Sequence, residues 1–242
     1  MKDIKNTNTY IISALILGGA FIIAAFVGGY TYYSVQSLSN TLSVTGSAKQ
    51  SVTADSAKWT IGTSQVVTPD RTSSGYETVT DATTRIREYL VKHGIPADQI
   101  SVSPIFTDEY YGGPNESRKV NVHQNITVTS PDVKKIQSVS QNMKELAVSG
   151  VQFSPMSPEY YISNLPELRV SLLGAAVTDA RARAASIGKT AGQSIGKLKS
   201  ASSGVIQVLP KSSTDISDYG QYDTSTIEKD VMVTVRAIFL VK

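Results

Sequence analysis

Few side chains in this 242-residue chain can do covalent or acid–base chemistry. There is no cysteine, which excludes a thiolate nucleophile, a thiolate zinc site, a disulfide framework and a lipid-modified cysteine. The two histidines, His93 and His123, leave little for a histidine-based metal site. Serines are abundant, but a serine nucleophile needs a base beside it and no G-x-S-x-G turn is present. Gly46-Ser47-Ala48 and Ser203-Gly204 lack the flanking glycines. Gly112-Gly113 precedes neither Lys-Ser/Thr nor a helix, so it is not read as a phosphate cradle. Paired carboxylates can divide acid and base roles. The local pairs, Asp108-Glu109 and Glu228 with Asp230, border loops, where solvated surface is the plainer reading. His93 falls in the last turn of an expected helix, where a cation suits the dipole. His123 alternates along an expected strand and should face solvent or a partner. No catalytic residue, metal ligand or cofactor is therefore assigned.

Two other residue classes carry more information. Of 12 tyrosines, several pair near expected loops: Tyr110 with Tyr111, Tyr160 with Tyr161, and Tyr219 with Tyr222. A tyrosine ring is apolar with a hydrogen-bonding tip, which suits an interface. These six are candidates for a partner or assembly surface. Capping of the core is an equal alternative for residues 110, 111, 160 and 161. Arg181 and Arg183, with Lys189, Lys197 and Lys199, concentrate positive charge near the end of a long expected helix. Arg181 and Arg183 are candidates for binding anionic envelope polymers or lipid headgroups. The plainer reading is a solvated face whose cations complement the helix dipole.

These groups must be positioned by elements, and the charge pattern orders those first. A net charge of +3 on a chain of this length implies no nucleic-acid partner. No charged residue occurs between Lys5 and Lys49. Within that gap Tyr10–Tyr30 reads YIISALILGGAFIIAAFVGGY. As a helix it spans about 31 Å, the thickness of a bilayer's hydrocarbon core. Its length, and the lack of an A-x-A site after it, favour an uncleaved signal-anchor over a cleaved signal. Lys2 and Lys5 before the span place the N-terminus in the cytoplasm and the rest outside. Tyr10, Tyr30, Tyr32 and Tyr33 are expected at the membrane interfaces. Ala24/Gly28 and Ala25/Gly29 are small-xxx-small pairs, a common feature of membrane helices generally.

Beyond the span, residues 31–41 read as a tether. A short strand is expected at Leu42–Gly46 and a second at Lys58–Val66. Thr68-Pro69-Asp70 signals a helix start, Tyr76, Val79, Ile86 and Leu90 recur at helical spacing, and Gly94 stops the helix. Strands follow at Ile100–Phe106 and Val120–Val128, joined by the turn-rich loop around Tyr110–Glu116. One helix should carry Val133, Ile136, Val139, Met143 and Leu146, ending at Gly150. Residues 151–162 read as extended, on an edge. A long helix is expected from Pro166 to about Ile187. Strand Lys199–Leu209, polar loop Lys211–Thr226 and strand Asp230–Val241 complete the chain. The order helix, glycine, strand, loop, strand occurs twice, which predicts an α+β domain of two helix-plus-hairpin units.

Four stretches, in this order, resemble the SIMPL-domain family. They are V-T-G-S-A at 44–48 with V-T-A-D at 52–55; V-K-H-G-I-P-A-D-Q-I at 91–100; V-N-V-H-Q-N-I-T-V at 120–128; and A-A-V-T-D-A-R-A-R-A-A-S-I-G at 175–188, continued by K-T-A-G. The resemblance runs from Leu42 to Leu240. It implies a bacterial cell-envelope protein, usually exported, with an α+β fold. Relatives include a periplasmic immunogenic protein that assembles into large rings and a protein tied to oxidative-stress defence. No catalytic residues are established for the family, so none is carried over. Two departures stand out: the long apolar anchor, and the long loop 211–226 with Tyr219 and Tyr222.

The expectation is therefore a cytoplasmic stub (1–9), a transmembrane helix (10–30), a tether (31–41) and a SIMPL-like domain (42–242). The protein would be single-pass in the bacterial inner membrane with its domain on the extracytoplasmic side. It would be non-enzymatic and homo-oligomeric or partner-binding, with its ligand open. The alternative is an envelope ligand-binding module with a stress-protection role, which calls for a concave pocket lined by aromatic and basic groups. A hydrolase with dispersed catalytic residues ranks last.

Overall fold

Thirty-five residues, Asp3–Ser37, form the first helix, α1. The computed structural model describes residues 3–37, 40–110, 118–213, 215 and 217–241. Within α1, Ile12–Val35 is long and apolar enough to cross a membrane, and none of it is buried against the rest of the chain. The helix does not stop at Tyr30. No proline or left-handed residue interrupts Thr31–Ser37, so most of the expected tether is helical, and strand β1 (Thr41–Thr53) begins four residues later. Tyr30, Tyr32 and Tyr33 are all exposed on α1. Tyr10 lies on the same helix, but its side chain is outside the described residues.

The chain then folds into two units. One comprises Lys49–Leu172 and Val205–Val233; the other comprises Met1–Ala48, Leu173–Gly204 and Thr234–Lys242.

In the first of these, β2 (Ser56–Val67) buries every second residue, Ala57, Trp59, Ile61 and Thr63, which is the period of a strand with one covered face. It pairs antiparallel with β5 (Lys119–Ser130), Trp59 opposite Val128 and Ile61 opposite Ile126. β3 (Ile100–Val102) and β4 (Phe106–Tyr110) both pair with β5. They were expected as one strand. Pro104 lacks a backbone donor and divides them. The hairpin loop between β4 and β5 lies in residues 111–117, outside the described chain.

Helix α2 (Thr72–Lys92) covers this sheet. It buries Val79, Ala82, Ile86, Tyr89 and Leu90, while Tyr76 is exposed. Gly75 takes the place expected for Tyr76: a Cβ there would lie 2.9 Å from Val122 Cγ2. A 3-10 turn, Pro69–Arg71, precedes α2, and Gly94 ends it with φ +83°.

The single helix expected after Pro131 is two, α3 (Val133–Gln141) and α4 (Lys144–Val148). Asp132 caps α3 by accepting from Lys135 N at 2.9 Å. The break falls at Asn142, whose carbonyl accepts from the Tyr89 hydroxyl at 2.7 Å. Two short strands, β6 (Ser154–Pro155) and β7 (Glu159–Tyr161), pair with β2. Trp59 donates its indole N–H to Met156 O at 2.9 Å, so the largest core residue leaves no polar atom unpaired.

Helix α5 (Leu165–Thr190), strand β8 (Ile195–Pro210), the two-residue β9 (Gln221–Tyr222) and β10 (Glu228–Val241) follow. The sheet order is β1-β10-β8-β9. In the unit holding α1, the alanine-rich part of α5 presents Ala176, Ala180, Ala184 and Gly188 as one buried row at a spacing of four. This lets the helix approach closely. A Cβ on Gly46 would sit 2.2 Å from Ala176 O, so only glycine fits that point of β1. Val44, Ala237, Phe239, Leu42 and Ile195 fill the space around Ala180 and Ala184. Gly192, with φ +70°, closes α5, two residues past the helix's last turn.

Candidate functional site

The loop expected at 211–226 is held at several points within the larger unit. Asp223 N donates to Val208 O at 2.8 Å, Tyr160 N to Thr224 O at 2.8 Å, and Ala54 N to Ile227 O at 2.9 Å. The chemical reason lies in Asp223-Thr-Ser-Thr. Asp223 accepts from Ser225 N (3.1 Å), Ser225 Oγ (2.6 Å), Thr226 N (3.1 Å) and the Thr226 hydroxyl, an Asx/ST turn. Lys229 completes it: its Nζ donates to Asp223 O at 2.6 Å and to Oδ2 at 3.1 Å, with a side chain 0% exposed. Burial pushes the Asp223 carboxyl up, but its hydroxyl, amide and ammonium donors prevail and hold it well below the usual range. Burial moves Lys229 down, against the pull of Asp223.

A second carboxylate, Asp230, sits next in sequence and takes Ser51 Oγ (2.6 Å), Ser212 N (3.0 Å) and Lys49 Nζ (3.1 Å). Those bonds, the Ser51 hydroxyl foremost, lower its pKa to about 2. Sequence reasoning read Glu228 and Asp230 as a loop-bordering pair and passed over Lys229, because lysine on an alternating strand ordinarily points to water. The one legible signal was the Asp-Thr-Ser-Thr turn.

The candidate tyrosines separate on this frame. Tyr160 is a core residue, 5% exposed. Tyr161 is half-buried, donates its hydroxyl to Glu159 Oε2 at 3.0 Å, and lies 6.1 Å from the Tyr222 ring. Burial, then the Glu159 contact, raises its pKa. The Tyr222 oxygen accepts from Ile162 N at 3.1 Å. These two fasten the loop to β7. Tyr219 stands apart at 96% exposure, in a turn closed by Gly220 at φ +85°. The Tyr110 side chain and the whole of Tyr111 lie outside the described residues.

The two arginines separate as well. Asp179 accepts from Ser47 N and from Arg183 Nε, each at 2.8 Å, so Arg183 braces a helix-to-strand contact. Arg181 is exposed on the other side of the helix.

The remaining chemistry-bearing groups hold structure. His93 sits at the C-cap of α2, with Nδ1 2.8 Å from Tyr89 O and Nε2 3.7 Å from Glu145. His123 stacks on Phe106 at 5.7 Å and has Nδ1 3.4 Å from Asp108 Oδ2. Glu109 pairs with Arg118. Glu228 takes the Thr53 hydroxyl at 2.9 Å and lies 3.6 Å from Lys211 Nζ. Among the described residues no three histidines or carboxylates converge on a metal position.

A groove of about 750 Å³ runs along α2, lined by residues including Arg87, Val91, Lys92 and Val102. The candidate tyrosines and arginines are not in its lining.

The SIMPL family model, described as a protein of unknown function (DUF541), matches residues 42–239. The chain belongs to the SIMPL family. No curated protein matches it. Its four SIMPL-like stretches each have a structural role. V-T-G-S-A lies on β1, where Gly46 admits α5, and V-K-H-G-I-P terminates α2 through His93 and Gly94. V-N-V-H-Q-N-I-T-V is β5, paired along its length with β2, and the alanine-rich stretch is the close-packing row of α5. The SIMPL resemblance therefore reports the fold.

Proposed function

We propose that this SIMPL protein is a non-enzymatic, single-pass envelope protein whose domain lies on the extracytoplasmic face of the bacterial inner membrane and there assembles or binds a partner. The observation that carries the reading is Ile12–Val35, wholly unburied and apolar, leading within six residues into the SIMPL domain. Burying such a helix in lipid satisfies its apolar surface, as nothing among the described residues does. Lys2 and Lys5 before it favour a cytoplasmic N-terminus. The partner surface is centred on Tyr219, the tyrosine of the loop that the fold leaves in solvent.

The absence of cysteine makes the topology directly testable. A single Ser157→Cys chain should react with a membrane-impermeant maleimide in spheroplasts and be protected in sealed inverted vesicles. The reverse pattern sinks the orientation. For assembly, the detergent-solubilised full chain should have a mass above that of the monomer; a strictly monomeric particle at high concentration sinks that half. The ligand-binding alternative has less support, because neither the candidate tyrosines nor Arg181 and Arg183 line the groove along α2.

A further inference from the structure

The formal charges divide sharply between the two units. Outside α1 and its connection to β1, the unit made from residues 40–48, 173–204 and 234–242 has seven basic residues and one acidic residue, Asp179, which Arg183 occupies. The larger unit has 14 basic and 18 acidic residues. A chain that is nearly neutral overall thus carries +6 on the piece into which α1 leads.

Within that piece the cations are not spread evenly. Val241 N donates to Asn40 O at 2.9 Å, so the last residues of β10 lie beside the first of β1. Gly196 abuts Leu240 (a Cβ there would be 3.2 Å from its carbonyl), which brings the start of β8 to the same end. Gly188 meets Ile195 and Gln193, which brings the end of α5 there too. Lys189 and Lys197 therefore share the end at which the chain emerges from α1, while Lys199 and Arg236 lie further along their strands. One apolar side chain lies beside Lys189 and Lys197 with much of its surface in water, Ile187, 49% exposed; Leu198 follows Lys197 on β8 and so points to the other face of the strand. From Ser37 to Thr41 the chain can stretch no more than about 14 Å. That is not far beyond the ~8 Å over which charges are felt at physiological ionic strength. Because these two lysines lie about 150 residues beyond the span, counting charges beside the span does not find them.

We propose that the end of this unit bearing Ile187, Lys189 and Lys197 docks on the anionic phospholipid headgroups of the bilayer that holds α1. The lysines meet phosphate oxygens, and Ile187 enters the headgroup region, the arrangement of a surface that binds by charge and shallow insertion together. The proposal rests on the single-pass membrane reading. Held this way, the domain would be oriented on the membrane and not free to swing on its short connection.

The test uses the full chain in phosphatidylcholine vesicles with and without phosphatidylglycerol. An environment-sensitive dye on Ala191→Cys, in the turn between Lys189 and Lys197, reports contact through a lipid-borne quencher. Quenching is expected with phosphatidylglycerol, weak without it, and relieved by high salt. Lys189→Gln with Lys197→Gln, both exposed positions, should lower the docked-to-free ratio about 30-fold. Equal quenching in both vesicle types, or quenching indifferent to the two substitutions, overturns the docking. Alkaline carbonate washing separates the two readings. A chain that washes off removes the membrane reading and the docking with it; a retained chain whose dye is never quenched removes the docking alone.

Discussion

At the scale of single residues, Lys229 and Asp223 are unequal partners. Lys229 has no exposed side-chain surface and depends on Asp223 for both its contacts, whereas Asp223 has Ser225 and Thr226 besides. Removing one member of a buried pair costs about 3–5 kcal/mol when it strands the other's charge. Asp223→Ala should therefore cost about that much, and Lys229→Met distinctly less, in urea unfolding of the detergent-solubilised chain. Equal losses would show that the loop does not depend on a stranded ammonium. Asp230 adds to the acid sensitivity that Asp223, also held below the usual range, brings. Its folded pKa of about 2 is below the unfolded value of roughly 3.9. A depressed carboxylate contributes stability that is full above the unfolded pKa and is lost as pH falls through the folded one. The unfolding midpoint should thus drop between about pH 4 and pH 2, and Asp230→Asn should flatten that part of the profile. Identical slopes for the two chains would remove Asp230 as a cause.

At the scale of elements, the packing of α5 on β1 rests on an absence of side-chain volume. Gly46→Ala must displace the backbone of α5 and should cost at least about 1–3 kcal/mol, as should Ala184→Leu in the buried row. Ala182→Leu, on the exposed face, should stay within about 0.5 kcal/mol. Thermal midpoints of the three chains decide it, and a tolerated Ala184→Leu would mean that the interface is loose. The small residues Ala176, Ala180, Ala184 and Gly188 recur at a spacing of four, so the sequence itself puts them in one row on a helix. The surface that row meets was not legible, since nothing local in Val-Thr-Gly-Ser says that a helix passes over the glycine. The same division holds elsewhere. Strand alternation located β2 and β5, and Gly94 marked the end of α2. The carbonyl at the Asn142 break is met by a hydroxyl from Tyr89, 53 residues away in sequence, and no periodicity contains that contact. The tyrosines show the limit most plainly. Sequence nominated six, with core capping an equal alternative for four of them; the fold makes Tyr160 core, sets Tyr161 against Tyr222, and leaves Tyr219 in solvent.

For the whole molecule, the decisive relation is between α1 and everything after it. Residues 12–35 are unburied, so they contribute no packing to the SIMPL domain. A chain beginning at Asn40 should then leave the membrane fraction and keep the thermal midpoint of the detergent-solubilised full-length protein to within a few degrees, a shift that corresponds to less than about 1 kcal/mol for a domain of this size. A large drop would mean that α1 is a structural part of the domain. The same shortened chain divides two sources of assembly. If contacts between copies reside in the domain, at Tyr219 or elsewhere, its mass in solution should match that of the solubilised full-length particle after subtracting the helix and detergent, and Tyr219→Ser should reduce it. If they reside in the small-residue pairs Ala24/Gly28 and Ala25/Gly29, the shortened chain should be monomeric while the full-length chain is not, because those pairs work only where two helices meet in lipid. A monomer in both forms removes assembly from either place and leaves a single anchored domain whose partner is another molecule.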